Sequence, residues 1–544
     1  MLQIKIPRAL AALGLICCFA CQTPGSNATS TLTITPAPPA LPRLTRAQYE
    51  NSIHDVLGAE LIAPASMEPD VPYDDLYAVG ASVAKVSPRG VELYEDGARN
   101  LTTQILSKPE RLAAILPCTA TSTTDGGCLD AFVVKVGRKL WRRALTGDER
   151  ATLVQTGLKA ATALSGFQYG VGYALQALLQ SPNFLYRPEV GEVDPATGGR
   201  RLTAFELASR LSYFLWNGPP DDALLDAAQS GALQTDEGLA AQVDRMMADA
   251  KLHRAVRNFA DEWLQLRNVL DLNKDPKVYK HFSSDLGASA REETLSLVEY
   301  LALELDADMR DLLLTHTTFV DRRLAAIYDM PAVSDKGVAK VELPPGERLG
   351  ILGHVSFLGT RAHPVSSSPT IRGKYVRQML LCDVVPTPPA GLNTALSDEG
   401  TATTMREKLA EHVSIPSCAK CHEFIDPIGL GFEHFDGIGR YRTKEDGKPI
   451  DPSGSFDEVQ FQDLATLANQ IAQSPKYARC VTKKLYAYAV GRPVKDGEAA
   501  QVDALRDTFV NNGMRLKALM RAAALAEGFR RVGARDDSTA GVTP

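Results

Sequence analysis

The sequence predicts a mostly α, multi-domain protein: a helical body, a small domain around a Cys-x-x-Cys-His motif, and a helical C-terminal domain. Three observations carry that expectation. Apolar residues recur at three- and four-residue intervals through most of the chain, the spacing that lines one helix face. Thr146-Gly-Asp-Glu149 and Thr203-Ala-Phe-Glu206 are capping boxes, each opening such a segment. No sustained apolar/polar alternation appears, and no rhythm of strands and helices joined by Gly-rich turns.

The elements follow in order. Residues 1–20 read as an export leader. Lys5 and Arg8 give a charged start, and residues 9–20 an apolar run too short to span a bilayer. The run ends Cys18-Phe19-Ala20-Cys21, which resembles a bacterial lipobox and makes Cys21 the candidate lipidation site; ordinary secretion is the alternative. Residues 21–42 are uncharged and rich in Ser, Thr and Pro, the composition of a disordered tether. An N-terminal helical domain is expected over 43–110, where Tyr49, Ile53 and Leu57 fall four apart and Gly58 caps. A small helical domain with a disulfide loop follows over 111–165, with helices over 129–141 and after Thr146. The central helical domain spans 166–335. Its first helix (166–179) is unusually apolar and is expected to be buried, and its second, after Thr203, stops at Trp216-Asn-Gly-Pro-Pro220. Further helices are expected at 259–263, 290–305 and 322–327. The domain of the Cys motif covers 345–455, with helices at 374–382 and 406–412. The C-terminal helical domain covers 456–535, and 536–544 is a tail.

Composition sets limits. The formal net charge is −6, and loss of the leader removes Lys5 and Arg8 and no acid, leaving −8. An acidic chain with no basic cluster argues against nucleic acid as a partner. No later run of 18 apolar residues implies a membrane span, so membrane attachment would come from the lipid anchor alone.

Cys418-Ala-Lys-Cys421-His422 has the spacing that attaches c-type haem. Two thiols one turn apart reach the two vinyl groups, and the following His lies under the iron as its axial ligand. With nine Cys and nine His in 544 residues, chance produces the pattern about 0.002 times. A zinc site would need a second ligand pair, and the only other Cys pair with that spacing, Cys18 and Cys21, falls at the leader and its boundary. Export agrees with haem attachment outside the cytoplasm. Setting aside the leader, Cys21 and the motif leaves Cys118, Cys128, Cys382 and Cys480. An even remainder in an oxidising compartment suggests two disulfides, with a local Cys118–Cys128 bridge leaving Cys382 with Cys480; the alternative for the last two is buried thiols.

Longer motifs then accumulate. They include Leu44-Thr-Arg-Ala-Gln-Tyr49, Arg142-Arg-Ala-Leu-Thr146, Ser181-Pro182-Asn-Phe-Leu-Tyr186-Arg187 and Ala260-Asp-Glu-Trp263. Ser368-Pro369-Thr-Ile-Arg372-Gly373, Ile425-Asp426-Pro427-Ile-Gly429 and Cys480-Val-Thr-Lys-Lys-Leu-Tyr-Ala-Tyr-Ala-Val-Gly491-Arg492 complete the set. Together they resemble the multidomain cytochrome c-like proteins of planctomycetes and myxobacteria, built from a fixed series of domains of unknown function. The resemblance implies an exported, haem-bearing protein with a small cytochrome c-like haem domain, and no particular activity.

Around the haem motif, Asp426-Pro427 is expected to break the chain and offer a carbonyl to His422 Nδ1. Arg440 and Arg442 are candidates to pair the haem propionates, with surface salt bridging as the alternative. The sixth iron ligand is open among Met379, Met405, Met514, Met520, His354, His363 and His412, or none; His363, beside the Ser366–Ser368 loop, is the distal candidate. No G-x-S-x-G, H-E-x-x-H or P-loop is present. The carboxylate pairs Asp74-Asp75 and Asp221-Asp222 read as helix caps or solvated groups rather than glycosidase acids. Two functions from different classes follow. One is a tethered monohaem redox protein exchanging electrons with a partner protein or small donor or acceptor, with oxidase or peroxidase activity as an extension. The other is a surface scaffold or polysaccharide-binding module with a structural haem or none.

Overall fold

The computed structural model describes residues 34–195, 197–332, 337–386, 402–414 and 416–534. The leader, Cys21 and the 536–544 tail lie outside the described residues. Among the described residues the chain is mostly helical, and no helix is long and apolar enough to cross a membrane.

The N-terminal helices share one core. Arg46–Leu57, Pro88–Leu106, Gly126–Trp141 and Phe167–Gln180 pack through Ile53, Leu101, Phe132, Leu175 and Phe184, all buried. Burying each such side chain stabilises the fold by about 1.5–3 kcal/mol. Gly58 ends the first helix, and the capping box at Thr146 opens Gly147–Ala163. The Cys118–Cys128 disulfide closes the loop before Gly126–Trp141.

Ala204–Trp216 is the helix on which the rest is built. The Thr203 capping box starts it, Asn217 in the left-handed region ends it, and every residue from Leu207 to Trp216 is buried. The helix is enclosed on every side from Leu207 on, and its buried Arg210 is paired with Glu189 at 2.5 Å, as a charge taken out of water requires. Tyr213 belongs to the N-terminal core, whereas Leu211, Phe214 and Trp216 belong to a larger one. That larger core continues through Leu252–Trp263 into Pro475–Val490 and Leu516–Leu525, so central and C-terminal helices are not separable layers. Its two buried indoles are satisfied: Trp216 donates to the Met246 carbonyl at 3.0 Å, and Trp263 to the Met379 carbonyl at 3.1 Å. The Cys382–Cys480 disulfide joins the same region, with Cys480 buried.

Strands are short and local. Thr317–Val320 pairs antiparallel with Ala339–Glu342, Thr317 opposite Glu342. Glu192–Val193, Arg200–Arg201 and Arg531–Val532 form a three-stranded antiparallel sheet in that order, tying the chain's last described turn to the central domain. Two expected helices end in π turns, Tyr300–Glu304 after Leu286–Glu299 and Val376–Leu380 after Pro369–Tyr375.

One expectation is corrected here. The tether expected to be disordered to residue 42 is ordered from Ile34. The Thr35 N–H donates to the Gly497 carbonyl at 2.9 Å, Ala40 and Glu189 exchange backbone hydrogen bonds, and the Gly533 N–H donates to Ala37 at 2.7 Å. Ala37 is buried. A Pro-rich, uncharged segment is suited to this edge position, because it lies extended and needs few donors of its own.

Candidate functional site

Cys418, Cys421 and His422 lie on the helix Pro416–Leu430. Positions i, i+3 and i+4 share one helix face. Both thiols are half-buried, and neither takes part in a disulfide. The helix does not break at Asp426-Pro427 as expected but runs through Pro427 to Leu430. Proline forfeits one backbone hydrogen bond there, and the carbonyl of Phe424 in the same turn is taken by Arg377 Nε at 3.2 Å. Continuation changes the partner of His422. Its Nδ1 faces no backbone carbonyl; it lies 2.7 Å from Oδ2 of Asp426, one turn on. A carboxylate in that position accepts Nδ1–H and leaves Nε2 as the electron-pair donor. The hydrogen bond to Asp426 raises the His422 pKa.

A second helix fixes Asp426. Ser368 caps Pro369–Tyr375, and Thr370 on its first turn donates to Asp426 Oδ1 at 2.7 Å. The two helices touch backbone to backbone. A Cβ on Gly373 would collide with the Ile425 carbonyl, and one on Gly429 with that of Pro369. Glycine is required at both points so that Thr370 can reach Asp426. Arg372, fully buried, donates to the carbonyls of Phe432 (2.9 Å), Phe435 (2.8 Å) and Asp436 (2.6 Å), holding the turn that follows the motif helix. Burial lowers its pKa to about 10.

The other sequence candidates are placed as follows. His412, on Met405–Val413, meets His422 edge-on with ring centroids 4.6 Å apart. It contacts the ring of His422 rather than standing across a gap from it. Burial, then the neighbouring His422, lowers its pKa. His363 is exposed in its loop, its backbone carbonyl held by Lys274 Nζ at 2.7 Å. His354 is buried against Thr294 and Thr318. Met379, Met514 and Met520 belong to the large core, and Met405 opens the helix that bears His412. Arg442 is committed to Glu433 at 3.0 Å and to Ser367 at 3.2 Å, while Arg440, nearly half exposed, lies 3.9 Å from Asp329. Sequence reasoning missed Thr370 and the carboxylate of Asp426. The available signal was an acid four residues after the motif His, the spacing of a helical pair.

Five stretches of the chain match families described as proteins of unknown function. They are DUF1587 at residues 43–107, DUF1595 at 128–189, DUF1592 at 202–330, DUF1588 at 348–445 and DUF1585 at 457–529. The DUF1588 match contains both helices of the site. No curated protein and no solved structure matches the chain.

Proposed function

We propose that this chain, which carries the DUF1587, DUF1595, DUF1592, DUF1588 and DUF1585 domains in series, is an exported monohaem redox protein. It holds one covalent c-type haem at Cys418 and Cys421 with His422 as axial ligand, and exchanges electrons with a partner protein or a small donor or acceptor. One observation carries the reading. Two thiols and an imidazole share a helix face, and the imidazole is oriented by a carboxylate so that Nε2 is its donor atom. That donor set suits covalent haem. When bound, the haem supplies one-electron chemistry at iron.

The chain's own residues do the rest. Cys418 and Cys421 would hold the group through their thiols. Asp426 holds the His422 ring in one orientation and one tautomer. The Gly373 and Gly429 crossing keeps Thr370 and Asp426 in register. The leader and Cys21 support export and a lipid tether at a membrane surface. Oxidase or peroxidase activity is the extension of this reading if the second axial position admits a ligand.

A second reading, a surface scaffold or polysaccharide-binding module, draws on the N-terminal core, which contains no residue of the motif helix. One experiment separates the two. The mature protein is purified from a host competent in haem attachment, and a pyridine haemochrome spectrum is taken beside the Cys418→Ala/Cys421→Ala variant. The redox reading expects a c-type haemochrome lost in the variant. Wild-type protein without covalent haem sinks it and leaves the scaffold.

A further inference from the structure

We propose that Asp426, held by Thr370, is a positioning residue that makes His422 a strongly basic ligand and lowers the reduction potential of the iron it binds; the inference rests on the haem reading above. The argument is geometric. Asp426 divides its two oxygens between two partners, Oδ2 to His422 Nδ1 and Oδ1 to the Thr370 hydroxyl, each at 2.7 Å. Its side chain is only 5% exposed, so the carboxylate is largely shielded from water. Among the described residues no Arg or Lys forms an ion pair with it, and its ionic partner there is His422 itself.

An acceptor on Nδ1 has two separable effects. Any acceptor orients the ring. Only an anionic one also draws the Nδ1 proton toward itself, and so raises electron density at Nε2. The oxidised iron carries one more positive charge than the reduced iron. A more basic ligand, backed by a buried negative charge, therefore stabilises the oxidised form and moves the potential down. The carbonyl expected from sequence at this position would have supplied orientation alone. The helix crossing makes the arrangement rigid. Gly373 and Gly429 seat each backbone directly on its neighbour, so Thr370 cannot withdraw from Asp426 without separating the helices.

The test uses the holoprotein. Spectroelectrochemical midpoints are compared for wild type, Asp426→Asn and Asp426→Glu, together with the iron–histidine stretch in the reduced protein, freed of any second ligand by photolysis of carbon monoxide. Asp426→Asn keeps the shape and removes the charge. It is expected to shift the midpoint upward and the stretch to lower frequency while the haem stays covalently attached. Asp426→Glu restores the charge and is expected to return both toward wild type. A midpoint and a stretch that Asp426→Asn leaves unmoved overturn the proposal, reducing Asp426 to a helix link. Should Asp426→Asn yield no folded protein, the wild-type stretch decides: a frequency in the range of imidazole bonded to a neutral acceptor overturns it, and one in the range of imidazole bonded to a carboxylate supports it. Wild type carrying no haem fails at the earlier step and overturns the haem reading itself.

Discussion

Removing the Cys382–Cys480 bridge should cost far more stability than removing Cys118–Cys128. The two bridges join residues 98 and 10 apart. In the loop-entropy account, the longer closure restrains the unfolded chain by about 4.7 kcal/mol and the shorter by about 2.8 kcal/mol. The expected gap is about 2 kcal/mol. Each bridge joins one buried cysteine, Cys480 or Cys128, to one half-buried, Cys382 or Cys118, so the voids left by truncation are similar and the loop length decides. The comparison is between Cys382→Ala/Cys480→Ala and Cys118→Ala/Cys128→Ala, by urea titration of indole fluorescence under oxidising conditions. Trp216 and Trp263 report the large core, and Trp141 reports the N-terminal one. The longer bridge should lower the midpoint of the Trp216 and Trp263 signal by clearly more than the shorter lowers that of Trp141. Equal shifts, or a larger one from the short bridge, would refute loop closure as the source of the stabilisation.

Three further outcomes are expected. Gly373→Val should force the Pro369–Tyr375 helix off Ile425, costing about 1–3 kcal/mol by overpacking and lowering covalent haem content. Gly147→Ala, whose Cβ meets nothing within 4 Å, is the control and should change neither. Trp263→Ala removes the stack on Phe259 at 5.6 Å and strands the Met379 carbonyl, and should cost about 3–5 kcal/mol. A thermal midpoint within a degree of wild type would contradict that. Burial raises the Glu262 carboxyl from 4.5 to about 7 in the folded protein. The folded chain then binds the extra proton between those values, so this group's contribution falls as pH rises from 4.5 to 7 and levels off above. Stability against pH for wild type and Glu262→Gln should differ in slope across that window; parallel curves would exclude the carboxyl as its cause.

What the sequence made legible was local. The boxes at Thr146 and Thr203 are complete within four residues, and Asn217-Gly-Pro-Pro220 carries its own stop signal. The favoured cysteine pairing, Cys118 with Cys128 and Cys382 with Cys480, is the one observed. What it hid was set by distant neighbours. Pro427 reads as a break, yet the helix continues because the turn around it is braced by Arg377 and packed on Gly373. Arg442 reads as a propionate partner by its nearness to the motif, yet Glu433 and Ser367 lie within its reach. Composition marked residues 34–42 as tether, but backbone hydrogen bonds do not depend on composition. His412, on the preceding helix, rather than His363, meets His422, because that is set by how two helices cross.

The ordered strap from Ile34 to Pro42 has a mechanical consequence. Its backbone bonds go to Arg187 and Glu189, to Gly497 and to Gly533, three places far apart along the chain. A pull applied at the N-terminus meets these attachments before it reaches the first helix at Arg46. The load is divided among the second, the fifth and the last stretches of the polypeptide, as a seam distributes tension across several panels of cloth. Tugging and shear applied ahead of Ile34 are absorbed in that seam, and the crossing of two helices that orients His422 lies outside it.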